Sequence, residues 1–244
     1  MRNFLRALSF LTILPVGQAP LSDERELARS MAFFPLVGLV IGLLLALGYY
    51  ILSLLFLNSL VLGLTIGLLA LLTRGLHLDG FADTLDGLAS GGTKEKILEV
   101  MKDSRIGTFG VIGLILLMGA KYFALDQILN SSIYNSIILM TVLGRNSMVL
   151  VCYRSAYVRP EGGLAKSFVE NLKLHELIIS LASTFGIAFI LQGMKGILVF
   201  LGVCFFNLGY RLFFARKLGG VTGDILGAAN ELSELLCVLL LLIQ

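Results

Sequence analysis

His77-Leu78-Asp79-Gly80-Phe81-Ala82-Asp83-Thr84-Leu85-Asp86-Gly87 sets three carboxylates at i, i+4 and i+7, directly after an apolar run long enough to be a membrane helix. At roughly 100° per residue, Asp83 lies about 40° to one side of Asp79 and Asp86 about 20° to the other, so the three acids share an arc of about 60°. Acids on one face repel one another unless a cation sits among them. Oxygen ligands without Cys or a His pair suit a hard ion, Mg²⁺ or Mn²⁺, which takes its remaining ligands from water and phosphate. Asp79, Asp83 and Asp86 are therefore the candidate metal ligands, and phosphoryl or diphosphate chemistry is the expectation. The plain alternative is a solvated, acidic helix end.

Working outward, 57% of the 244 residues are hydrophobic and 14% are charged, against roughly 25% charged in a soluble domain. That composition reads as an integral membrane protein. A net charge of +3 without a basic, aromatic-interleaved stripe gives no reason to expect nucleic acid as a partner. Cys152, Cys204 and Cys237 stand in apolar context without metal-ligand spacing, which supports neither disulfides nor zinc.

Apolar runs of bilayer-spanning length occur near 33 to 57, 59 to 76, 108 to 128, 133 to 152, 175 to 192, 196 to 214 and 225 to 243. Seven spans are expected, the second running on toward the acidic motif. Before them, Arg2 and Arg6 flank the apolar stretch from Ala7 to Val16. It reads as a short interfacial or re-entrant helix; a cleavable signal cut after Ala19 would place Pro20 beside the scissile bond.

Positive charge alternates between the connections. It precedes the first span and follows the second, fourth and sixth, whereas the connections around Asn58 and across Asn130 to Ser132 carry none. The positive-inside rule puts the N-terminus and the three long loops in the cytoplasm and the C-terminus on the far side. The fold expected is all-α, a polytopic bundle forming one domain over residues 1–244, with its chemistry at the inner membrane surface.

Two further segments lie at that surface. Met101-Lys102-Asp103-Ser104-Arg105-Ile106-Gly107-Thr108-Phe109-Gly110 supplies cations, an acid, a hydroxyl and two glycines, a composition suited to wrapping phosphate through side chains and backbone N–H groups. Lys102, Asp103, Ser104 and Arg105 are its candidate substrate contacts. Gly219-Gly220-Val221-Thr222-Gly223-Asp224-Ile225-Leu226-Gly227-Ala228-Ala229-Asn230-Glu231 places Asp224 and Glu231 on one helix face with small residues between. These two acids are candidates for further ligands or the catalytic base, and Thr222 and Asn230 for substrate contacts. Asp224 could equally cap the last helix, and Glu231, inside a span with Glu234 beyond it, needs a partner or water.

Lys121, Arg145 and Arg211 also sit where a bilayer disfavours charge. Arg145, beside Asn146, is suited either to a phosphate or to an acid, and Lys121 either to a ligand or to a structural ion pair. His77 points in a different direction from Asp79 on a helix, and is either a general base or a hydrogen-bonded interfacial residue. His175 reads as structural.

Taken together, HLDGFADTLDG, MKDSRIGTFG and GGVTGDILGAANE resemble the cobalamin synthase family, the adenosylcobinamide-GDP ribazoletransferases. The resemblance extends to Phe10-Leu11-Thr12-Ile13-Leu14-Pro15-Val16, Gly144-Arg145 and Arg159-Pro160-Glu161-Gly162-Gly163-Leu164. It implies a multispanning enzyme of a prokaryotic cytoplasmic membrane, in contact with lipid, a homo-oligomer being left open. It also implies Mg²⁺ as cofactor, with adenosylcobinamide-GDP and α-ribazole or its 5′-phosphate as substrates. The ribazole 3′ hydroxyl would attack the β-phosphorus of adenosylcobinamide-GDP, and GMP would leave.

Three rivals fit less well. A CDP-alcohol phosphotransferase would have Ala-Arg where Asp83-Thr84 stands and a later Gly-x-x-x-Asp-x-x-x-Asp that is absent after Asp86. A UbiA-type prenyltransferase matches the acid spacing only loosely. A cation transporter would carry its acids near the bilayer midplane, whereas these cluster at one face.

Overall fold

The computed structural model describes residues 2–15, 24–128 and 130–243. Val16, Ala19 and Pro20, on which part of the N-terminal reading rests, lie outside them. Helices dominate, and among the described residues no strand is present beyond one parallel bridge between Tyr157 and Val221. The elements are α1 (Arg2–Leu11), α2 (Glu24–Ser30), α3 (Phe34–Ser53), α4 (Asn58–Leu72), α5 (Leu76–Ser90), α6 (Lys94–Val100), α7 (Thr108–Asp126), α8 (Ile133–Cys152), α9 (Leu164–Asn171), α10 (Leu174–Leu218) and α11 (Gly223–Leu242). A 3₁₀ turn, Met31–Phe33, joins α2 to α3. All seven apolar runs lie on helices, and five helical segments are each long and apolar enough to cross a membrane.

The organising helix is α8, which is buried on nearly every side, as expected of an apolar helix without a polar face. It packs against α3, α10 and α11. At the α3 contact the backbones touch. A Cβ on Gly38 would stand 2.5 Å from the Thr141 carbonyl oxygen, and the Thr141 hydroxyl donates to the Gly38 carbonyl at 2.8 Å. Small residues spaced by four permit this approach where lipid supplies no hydrophobic drive between helices.

Two departures from a simple array of spans shape the molecule. In α10, Gly193 leaves helical geometry and the chain folds back on itself. The Phe185 and Phe200 rings lie 6.0 Å apart, edge to face, whereas fifteen residues of continuous helix would hold them about 22 Å apart. The arms 174–192 and 194–218 thus account for the fifth and sixth apolar runs.

The other departure concerns the second run. It does not continue straight into the acidic motif. Instead α4 ends in a Schellman arrangement, with the Gly75 N–H donating to the Ala70 carbonyl at 2.8 Å and the Arg74 N–H to that of Leu71 at 3.1 Å. Arg74 and Gly75 are both left-handed, at φ 55° and 65°, and α5 leaves at 90° to α4. The acids therefore sit on a separate 15-residue helix, packed against α6, α7 and α11.

The positively charged connections meet at one end of the bundle. The segment after α8 pairs with the α10–α11 turn through the Val221 N–H on the Ala156 carbonyl at 2.8 Å and the Val158 N–H on the Val221 carbonyl at 3.2 Å. Lys102 before α7 pairs with Glu161 after α8. Helix α1 lies against this end, with Ala7, Leu8 and Leu11 buried.

Candidate active site

The acid face of α5 is built by glycines on α5 and its neighbours as much as by the spacing of its acids. Gly80 lets the first turn of α11 lie directly on α5, because a Cβ there would stand 2.8 Å from the Asp224 Cα and 2.9 Å from its carbonyl oxygen. Asp224 is thereby added to the three acids of the motif. The charged neighbours of Asp83 are Asp79, Asp224, Arg159 and Asp86, so four carboxylates and one guanidinium form a single electrostatic unit.

Each acid is held differently. Asp79 is exposed and Asp83 half-buried, and neither carboxylate makes a hydrogen bond or ion pair with another described residue. Asp86 is committed: its carboxylate accepts from the Gly107 N–H at 2.7 Å and the Gly110 N–H at 2.8 Å. It caps α7 across space, satisfying N–H groups that a helix start leaves without partners. Both glycines are needed for that approach, since a Cβ on either would fall 2.4 Å from a carboxylate oxygen of Asp86. The backbone N–H groups expected to wrap phosphate thus serve Asp86 instead.

Asp224 pairs with Arg159, whose guanidinium also donates to the Met101 carbonyl at 3.1 Å. Arg159 ties α11 to the chain entering α7, and it is the site residue that sequence reasoning left out. It was visible only as part of a motif, Arg-Pro-Glu-Gly-Gly, with no local feature linking it to an acid 65 positions later. The capping role open to Asp224 falls to Thr222, whose hydroxyl accepts from the Ile225 N–H at 3.3 Å. That hydroxyl also lies 3.3 Å from Asp224 Oδ2.

In the α6–α7 loop, Arg105 clasps Asp103 through Nε at 3.0 Å and a terminal nitrogen at 2.8 Å. These contacts hold the Asp103 carboxyl down at about 2, below the usual carboxylate range. Lys102 likewise holds Glu161 low. Ser104 is exposed.

The remaining candidates form a second group, in the interior of the bundle. Lys121 on α7 places its ammonium 2.6 Å from Glu231 and 2.5 Å from Glu234 on α11, and Arg145 on α8 pairs with Glu234 as well. All four side chains are buried. Asn230 donates to Glu231 and Glu234 at 3.2 Å each, and Asn146 accepts from Ser180 at 2.9 Å. His77 is buried with this group, its charged neighbours being Arg145, Glu234 and Lys121. Neither of its ring nitrogens has a partner among the described residues. Outside both groups, His175 pairs with Glu176 at 2.7 Å.

Cavities flank the acid face at its two ends. One, of about 1020 Å³, is lined by Asp79 together with residues of the α4–α5 turn and of α1, α2, α7 and α9. The other, of about 490 Å³, is lined by Asp86, Asp103, Arg105 and Phe109. Among the described residues, no three His, Cys, Asp or Glu side chains stand close enough to share one ion in this arrangement. The donor set is nonetheless oxygen only, and the partnerless carboxylates of Asp79 and Asp83 are the members that can turn toward a common hard cation.

The comparisons with known proteins agree with one another. A protein of Syntrophobacter fumaroxidans is 43% identical over 96% of this chain and 95% of its own length. Another, from Klebsiella pneumoniae, is 40% identical over 99% of this chain and 100% of its own. A third, from Geotalea daltonii, is 38% identical over 99% and 97%. Each is named adenosylcobinamide-GDP ribazoletransferase. No solved structure gives a significant match. The profile of one family covers residues 3–242, nearly the whole chain, and the chain belongs to that family, described as cobalamin-5-phosphate synthase.

Proposed function

We propose that this chain joins adenosylcobinamide-GDP to α-ribazole or its 5′-phosphate, releasing GMP, at the cytoplasmic face of a bacterial inner membrane. The observation that carries the reading is the meeting of α5 and α11 at Gly80, which adds Asp224 to the acid face between two cavities. A reaction of two substrates needs two places to hold them on either side of one set of carboxylates. The orientation rests on the gathering of the positively charged loops at the same end.

In chemical terms, the 3′ hydroxyl of the ribazole attacks the β-phosphorus, an O–P bond forms, and the β-phosphorus–oxygen bond to GMP breaks. Mg²⁺ held by Asp79 and Asp83 would supply charge neutralisation across the diphosphate. Asp224, partly exposed and beside those acids, is the candidate to accept the hydroxyl proton. His77 is not, because it is buried with the interior group. Arg159 orients Asp224, and Arg105, lining the smaller cavity, neutralises charge gathering on the departing GMP.

The purified protein in liposomes with Mg²⁺ should release GMP from adenosylcobinamide-GDP only when ribazole or its phosphate is added, and chelation should stop it. Release of GMP without an acceptor would instead make the chain a hydrolase and overturn the reading.

A further inference from the structure

The larger cavity has a lining that suits one of those two substrates better than the other. Its walls include Phe10, Leu27, Leu114 and Leu164, and Asp79 lies in its lining. Two cations reach it, Arg6 and Arg74. Arg6 is committed, paired with Glu26 and donating to Asn3 at 3.0 Å. Arg74 is exposed and has no acid partner among the described residues.

Arg74 also carries backbone strain. It occupies the left-handed position after α4, φ 55°, where glycine is the ordinary residue. Strain held at a charged residue facing a cavity is a pointer to function. The Asp79 N–H bonds to the Gly75 carbonyl at 2.9 Å, so Asp79 lies in the first turn of α5 and Arg74 immediately precedes that turn, both lining the same cavity.

An occupant should therefore combine a flat apolar body, a hydroxyl near Asp79 and an anion near Arg74. The corrinoid, a far larger macrocycle fringed with polar amides, does not suit these walls, and guanine, the flat base at the other end of that substrate, would leave its hydrogen-bonding edge unpaired against them. Resting on the reaction proposed above, we infer that this cavity is the acceptor site, taking the aromatic base of the nucleoside between its apolar walls, and that Arg74 binds the nucleoside 5′-phosphate.

Arg74→Gly tests this cleanly, because it deletes the side chain where glycine fits the backbone. Steady-state kinetics should show KM for α-ribazole 5′-phosphate rising about tenfold or more, the loss of a charge-assisted contact, with KM for α-ribazole and for adenosylcobinamide-GDP unchanged. Calorimetric titration of α-ribazole 5′-phosphate into the detergent-solubilised protein, without the corrinoid, should show the same loss of affinity. Ser9→Phe, which narrows the cavity, should raise KM for both acceptors alike. Equal effects of Arg74→Gly on both acceptors, or none, would overturn the assignment. So would Ser9→Phe without effect, the result expected if lipid or detergent fills the cavity. Wild-type protein that binds the phosphate in the titration but releases no GMP would refute the reaction while supporting the site.

Discussion

Asp86 seats the first turn of α7: its carboxylate, on α5, accepts at 2.7 Å from the N–H of Gly107, the residue that opens α7 21 positions along the chain. An acid of the α5 face is thus part of the scaffold that holds that face. Asp86→Ala should lower stability by about 1–2 kcal/mol, the usual cost of losing a cap. Asp79→Ala, with no such partner, should cost little or raise stability by relieving repulsion. Thermal unfolding in detergent distinguishes the two, and equal losses would show that the cap contributes nothing.

Asp83→Asn keeps shape and removes one of the charges available to an ion. Turnover should fall about a thousandfold, roughly 4 kcal/mol of transition-state stabilisation, with folding retained and only partial rescue by excess Mg²⁺. The check is GMP release across a Mg²⁺ titration. Turnover equal to wild type at every concentration would rule out the metal role.

Arg159→Lys retains charge but cannot span Asp224 and the Met101 carbonyl as a guanidinium does. It should lower kcat about tenfold or more while leaving both KM values near wild type, as expected of a residue that positions another. In a double-mutant cycle, Arg159→Ala and Asp224→Asn should be strongly non-additive. Additive effects would separate Arg159 from Asp224.

Lys121→Met leaves Glu231 buried without its cation, and such a loss typically costs about 3–5 kcal/mol. Adding Glu231→Gln should restore much of the lost melting temperature, since Glu234 keeps Arg145. A double variant that is folded and active would mark this group as architecture; one that is folded and inactive would return Lys121 and Glu231 to the chemistry.

Orientation has its own check. A cysteine replacing Ser132, in a background lacking Cys152, Cys204 and Cys237, should react only with reagents applied outside. Labelling solely from the cytoplasmic side would invert the proposed topology.

The helical character and the acid face were legible because both are local, resting on run length and on a period that spacing alone reveals. The break after α4 was harder to read. A Schellman stop usually announces itself by glycine, and here Arg74 holds that place with Gly75 following. Gly107 and Gly110 read as a phosphate-wrapping pair because their partner, Asp86, lies on another helix, so their N–H groups looked available. Thr222 and Asp224 both carry oxygens suited to capping, and only the geometry distinguishes them. The split of the polar residues into a surface group and an interior group depends on how α5, α7, α8 and α11 pack, which no periodicity records.

The pairing of Lys121 with Glu231 also orders the making of the protein. The lysine is synthesised 110 residues before its carboxylate partner, and Glu234 comes later still. When α7 first enters the bilayer its ammonium has no acid on α11 to meet, an expensive condition in hydrocarbon. Until α11 is made, α7 therefore sits less favourably in hydrocarbon than it does in the finished bundle. Residues of α11 thus act as the lock on a helix made 110 residues earlier, and a chain stopped short of Glu231 would leave the lysine uncompensated.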